Sequence, residues 1–159
     1  MNEVNQENLK EAAVSHLDIF GELKNQELYI YRTDGVQLWT SSLKSNPTII
    51  SLLAGLWQSA RAISKSLKTN SLSDTLQFGN SSQGIITQSI YLDNKEYLIS
   101  LSYKNTLNPA KLRLKFRMFC QKIEEQFFDE AKSPISESKK EEALFSNISD
   151  EEVDQLFTF

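Results

Sequence analysis

Apolar and polar positions alternate with a period of two along residues 85–92 and 96–103, and the pair reads as an antiparallel hairpin. On the second run Tyr97, Ile99, Leu101 and Tyr103 share one face, while Leu98, Ser100 and Ser102 take the other. On the first, Ile86, Ile90 and Leu92 alternate with Ile85, Thr87, Ser89 and Tyr91. Between them Asp93-Asn94-Lys95 offers two residues that tolerate the positive φ of a tight turn. Neither face is cleanly polar, so both should be covered, by helices or by a second subunit. This hairpin is the expected centre of a sheet. Two shorter runs, Glu27–Arg32 and Val36–Ser41, flank Asp34-Gly35, a strong hairpin signal, and Thr75–Gly79 reads as a further strand.

Elsewhere the period lengthens to three and four. Residues 6–23 place Leu9, Ala13, Leu17 and Phe20 on one side of an amphipathic helix, with His16, a structural residue in this reading, beside the stripe. Asn46-Pro47 is a capping side chain followed by proline at the first helical position, and a long helix is expected from Thr48 to about Leu67. It carries two apolar stripes. One is Ile49, Leu53, Leu56, Ala60, Ile63 and Leu67; the other is Ile50, Ala54, Trp57 and Arg61. A surface helix needs only one. The second, with Ala54 and Gly55 allowing close approach, marks Ile50, Ala54, Trp57 and Arg61 as a candidate dimer interface, the alternative being deeper burial within one chain. Asn108-Pro109 repeats the cap-and-proline start and opens a helix of about twenty residues with the stripe Leu112, Phe116, Phe119, Cys120, Ile123 and Phe127. Cys120 there acts as a small hydrophobe. Lys111, Arg113, Lys115 and Arg117 crowd its first half, against the helix dipole, while Glu124, Glu125 and Asp129 follow in the second. The four basic residues are candidates for meeting an acidic partner; the alternative is an ordinary solvated face.

Composition narrows the function. The chain has 159 residues, 40% hydrophobic and 24% charged, which suits one domain with a modest core. No apolar run approaches the roughly 20 residues that cross a bilayer, and an acidic, polar start does not resemble a signal peptide. With one cysteine and no disulfide partner, a cytoplasmic location is expected. Residues 1–132 hold 15 Lys/Arg against 14 Asp/Glu, and residues 133–159 hold 2 against 7. A near-neutral body with an acidic tail argues against a nucleic-acid partner. Five glycines, none in a Gly-rich turn before a helix, argue against a nucleotide cradle, and no cofactor is expected. One histidine and one cysteine supply no convincing catalytic or metal-binding set, so the chain is not read as an enzyme.

The composition shift near Ser133-Pro134 divides the chain into a folded body at 1–132, a flexible acidic linker at 133–147, and a short interaction motif at 148–159. In that motif Ser149 can cap, Glu152 can reach back to it, and Ile148 with Val153 forms a hydrophobic staple. Ile148, Val153, Asp154, Leu156 and Phe157 are the candidate partner-binding residues of a helix that docks in a groove. Docking on its own domain and simple disorder are the alternatives.

The order helix, two strands joined by Asp-Gly, long helix, three strands, closing helix resembles the Roadblock / dynein light chain superfamily, which includes the MglB-type regulators of Ras-like GTPases. The residues that carry the resemblance are Leu28–Val36 with its Asp34-Gly35 turn, Leu52-Leu53-Ala54-Gly55-Leu56-Trp57, Gly84-Ile85-Ile86 through Leu98–Leu101, and Asn108–Arg113. It covers roughly residues 5–130 and implies an α+β fold: a five-stranded antiparallel sheet with the long helix on one face and the two terminal helices on the other. It also implies a homodimer, or a heterodimer with a Roadblock paralogue, that binds a small Ras-like GTPase without catalysis of its own. Residues 148–157 resemble the receiver-binding peptide of the flagellar switch protein, which implies a response-regulator receiver domain as a second partner. A secretion-chaperone-like module that captures an effector protein is the alternative function.

Overall fold

In the computed structural model, residues 6–21, 23–44, 46–67, 75–80, 82–105 and 108–130 are described. The expected linker and the motif at 148–159, with its five candidate residues, lie outside them.

The elements follow the sequence pattern closely. Helix α1 (Gln6–Ser15) runs into a single 3-10 turn at Leu17–Phe20, then strands β1 (Gln26–Arg32) and β2 (Gln37–Thr40). Helix α2 (Pro47–Ser66) is followed by strands β3 (Thr75–Gly79), β4 (Gln83–Leu92) and β5 (Lys95–Lys104), and helix α3 (Pro109–Glu130) closes the described chain. The strands form one antiparallel sheet in the order β2-β1-β5-β4-β3. The β4–β5 hairpin is its longest ladder, with Leu92 opposite Lys95 and Asp93 and Asn94 both at positive φ in the two-residue turn.

Each face of the sheet is covered from within the chain. On one, α1, the 3-10 turn and α3 pack over Leu28, Ile30, Ile86, Ile90, Leu92, Tyr97, Ile99, Leu101 and Tyr103. On the other, α2 packs over Tyr29, Tyr31 and Leu98. This is the α+β arrangement expected from the sequence, and the alternation along β4 and β5 sorts side chains onto these two faces as predicted. All six residues of the α3 stripe are buried.

Two details differ. The amphipathic run at 6–23 is one helix only to Ser15; Gly21, at φ 69°, takes a conformation no helix continues. The second strand of the first hairpin starts one residue later than expected. The amide of Gly35 donates to the carbonyl of Arg32, Gly35 lies at φ 87°, and the amide of Arg32 donates to the carbonyl of Val36. This is a three-residue loop with a bulge, and β2 begins at Gln37 rather than Val36.

Candidate functional site

Helix α2 is built to present two different sides. Asn46 caps it, its Oδ1 accepting from the amide of Ile49 at 3.3 Å, and Pro47 opens it. The inward side carries Ile50, Leu53, Ala54 and Trp57, all buried against the sheet. Beneath them the sheet presents polar groups that satisfy each other: Tyr31 Oη and Thr87 Oγ1 each lie 2.7 Å from Ser100 Oγ. Burial raises the Tyr31 hydroxyl above its ordinary pKa. At the far end of the helix Arg61 pairs with Glu96 of β5.

The four residues expected at a dimer interface lie inward or paired within this chain. Ile50, Ala54 and Trp57 are covered by the chain's own sheet, and Arg61 is held by Glu96, so their stripe is a packing surface within one protomer. Ala54 is small because the β1–β2 turn comes close: a Cβ added to Gly35 would lie 3.8 Å from Ala54 Cβ and 3.4 Å from Ser51 Cα.

Half of the other stripe points away from the sheet: Leu56 is 42% exposed, Ile63 60% and Leu67, at the helix C-cap, 68%, whereas Leu53 is buried with the inward side. Leu52, which belongs to neither expected stripe, is 68% exposed beside them. Gly55 lies beside them with open space where a Cβ would stand. A glycine in the middle of an exposed helix costs about 1 kcal/mol relative to alanine, and none of the described residues requires it. At the neighbouring sheet edge Phe78 on β3 is exposed as well. Exposed leucines one at a time are ordinary; a row of them along one helix is the mark of a contact surface.

The four basic residues of α3 do not form one patch. Arg113 and Arg117 stand on one side of an exposed strip, and Lys111 and Lys115, both half-buried, on the other. Arg113 donates to Gln77 Oε1 on β3 at 3.2 Å. The strip between them is apolar at Leu114 and Met118.

Among the described residues no group of three or more His, Cys, Asp or Glu is placed to hold a metal ion. Cys120 is fully buried, and burial together with the nearby Glu124 pushes its thiol well above the usual range, far from a nucleophile's condition. A cleft between the β4–β5 turn and the end of α3 is lined by Tyr91, Asp93, Asn94, Glu124, Phe127 and Phe128. Glu124 accepts the Tyr91 amide there at 2.8 Å, a positioning role. No described helix is long and apolar enough to cross a membrane.

No protein-family model and no curated protein matches the sequence. Solved structures do. A gliding protein MglB from Thermus thermophilus aligns with 76% of this chain and 92% of its own at 16% identity and TM-score 0.60. Myxococcus xanthus MglB aligns with 86% of this chain and 98% of its own at 9% identity and TM-score 0.62. A Roadblock/LC7 domain from Streptomyces avermitilis aligns with 80% of this chain and 99% of its own at 10% identity and TM-score 0.57. The chain has a Roadblock-like fold.

Proposed function

We propose that this chain is a non-enzymatic adaptor of the cytoplasm that associates through the outward side of α2, with a second copy of itself or a Roadblock paralogue, and binds a small Ras-like GTPase. Residues 148–159 then recruit a second protein, for which a response-regulator receiver domain is the candidate. The observation that carries the reading is the row Leu52, Leu56, Ile63 and Leu67, exposed on a helix whose opposite side already packs on the sheet. Buried against another helix, such a row supplies the apolar core of an interface, and Gly55 lets the backbones approach. The likeness to MglB, described in one instance as a gliding protein, favours a regulatory role in motility or polarity signalling.

The test is retention of Ras-like GTPases on the immobilised full chain, each loaded with GDP and with a non-hydrolysable GTP analogue, with and without residues 133–159. The adaptor reading expects nucleotide-dependent retention by the body and loss of a further protein when the tail is deleted. Retention of no GTPase in either state refutes it.

A further inference from the structure

The outward side of α3 carries a repeat that neither the core nor the α2 contact uses. Leu114, Met118, Gln121, Glu125 and Phe128 recur at spacings of four, three, four and three, and all five are exposed. The stripe that packs on the sheet occupies the opposite side of the helix. Alternating spacings of four and three form the seam of a helix that lies lengthwise along another helix. This seam spans about four turns, roughly 21 Å at 1.5 Å per residue.

Its charges say what the other helix is. Arg117 lies four residues before Gln121, and Glu124 and Glu125 lie three and four after it. Basic before acidic opposes the dipole of the helix itself. A second copy of the same helix, laid antiparallel, reverses the order. With a two-fold axis at Gln121, each residue before it in one copy stands beside the residue equally far after it in the other. Leu114 then meets Phe128, Arg117 meets Glu124 and Glu125, and Gln121 meets Gln121. A parallel pair would instead set Arg117 against Arg117 and Glu125 against Glu125. The carboxylates are already oriented. Glu124 is held by the Tyr91 amide, while Glu125 accepts from Gln121 Nε2 at 2.8 Å and lies 3.5 Å from Lys122 Nζ.

We infer that α3 is a self-association surface separate from α2, and that its occupant is α3 of a second copy of this chain, antiparallel and centred on Gln121. Two experiments test it on the full chain. In the first, Gln121→Cys is compared under mild oxidation with Leu43→Cys, a fully exposed control, and with wild type, whose only thiol is the buried Cys120. Disulfide-linked dimer should form at least about tenfold faster for Gln121→Cys than for Leu43→Cys, and wild type should form none. In the second, sedimentation measures self-association of Arg117→Glu, Glu125→Arg and their equimolar mixture. Each variant alone sets like charges together and should weaken association about tenfold; the mixture restores opposite charges and should recover it. Equal cross-linking at 121 and 43, or a mixture no tighter than its components, overturns the proposal. Repeating the cross-linking in a Leu52→Ala/Leu56→Ala background separates this contact from one through α2.

Discussion

Substitutions on the two sides of α2 should separate assembly from folding, and Leu52 and Leu56 against Trp57 make the sharpest comparison. Burying a leucine side chain completely stabilises by about 1.5–3 kcal/mol. Leu52 and Leu56 retain 68% and 42% of their exposure in the single chain. Covering what remains is therefore worth about 2 kcal/mol per protomer for the pair, and about 4 kcal/mol for a symmetric contact. Leu52→Ala/Leu56→Ala should weaken self-association by roughly a thousandfold. It should leave the stability of the protomer within about 0.5 kcal/mol, because both positions are exposed and alanine is the better helix former. Trp57→Ala should do the reverse. It opens a cavity between α2 and the sheet and costs about 3–5 kcal/mol of folding stability, before any effect on assembly. Sedimentation velocity over a hundredfold range of concentration reads the first quantity, and chemical denaturation at a fixed low concentration reads the second. An unchanged association constant in the leucine double variant refutes the α2 contact. So does dissociation of a fully stable protomer by Trp57→Ala.

Three further outcomes follow from the same geometry. Burial, and after it the neighbouring Glu27, pushes the Tyr29 hydroxyl from 10.0 up to about 12. Its contribution is complete below pH 10 and is lost as the pH rises from 10 toward 12; denaturation across that window should show falling stability, with a shallower slope in Tyr29→Phe. Cys120 should resist a thiol reagent in the native state and label at a rate set by opening of α3, whereas prompt stoichiometric labelling would contradict its burial. Gly84→Ala should destabilise by about 1–3 kcal/mol by thermal melting, since the new Cβ would stand 2.6 Å from the carbonyl oxygen of Phe78 and 2.8 Å from the Tyr103 hydroxyl.

What the sequence could disclose depended on how many solutions each pattern allowed. The α3 stripe is a single apolar row on an otherwise polar helix, and it names its buried face without ambiguity. The β4–β5 hairpin is likewise overdetermined, because Asp93-Asn94 sets the register that sorts Tyr97, Ile99 and Leu101 to one side. On α2 both sides are apolar, and periodicity cannot say which meets the sheet. The deciding facts are non-local: Gly35 brings the β1–β2 turn against Ser51 and Ala54, and Glu96 draws Arg61 inward. A tryptophan resembles an interface residue in a sequence until its surroundings are known. Gly21 signals the end of the 3-10 turn, but not the end of α1 at Ser15, since Leu17 and Phe20 suit a helix and a 3-10 turn equally. The seam on α3 is readable only in part. The misplaced charges are visible in the sequence, but the exposure of Leu114, Met118 and Phe128 comes from the fold.

The two sides of the sheet are unequally furnished. Among the described residues, the layer with α1 and α3 encloses twenty buried apolar side chains and the layer under α2 only seven. In amide exchange α2 should therefore behave as a separate foldon, lifting from the sheet at lower free energy than the strands and α3. A companion seated on its outer leucines would have to hold that lid shut, so occupancy and local order become one linked equilibrium. The same helix that greets a partner would report its departure by loosening.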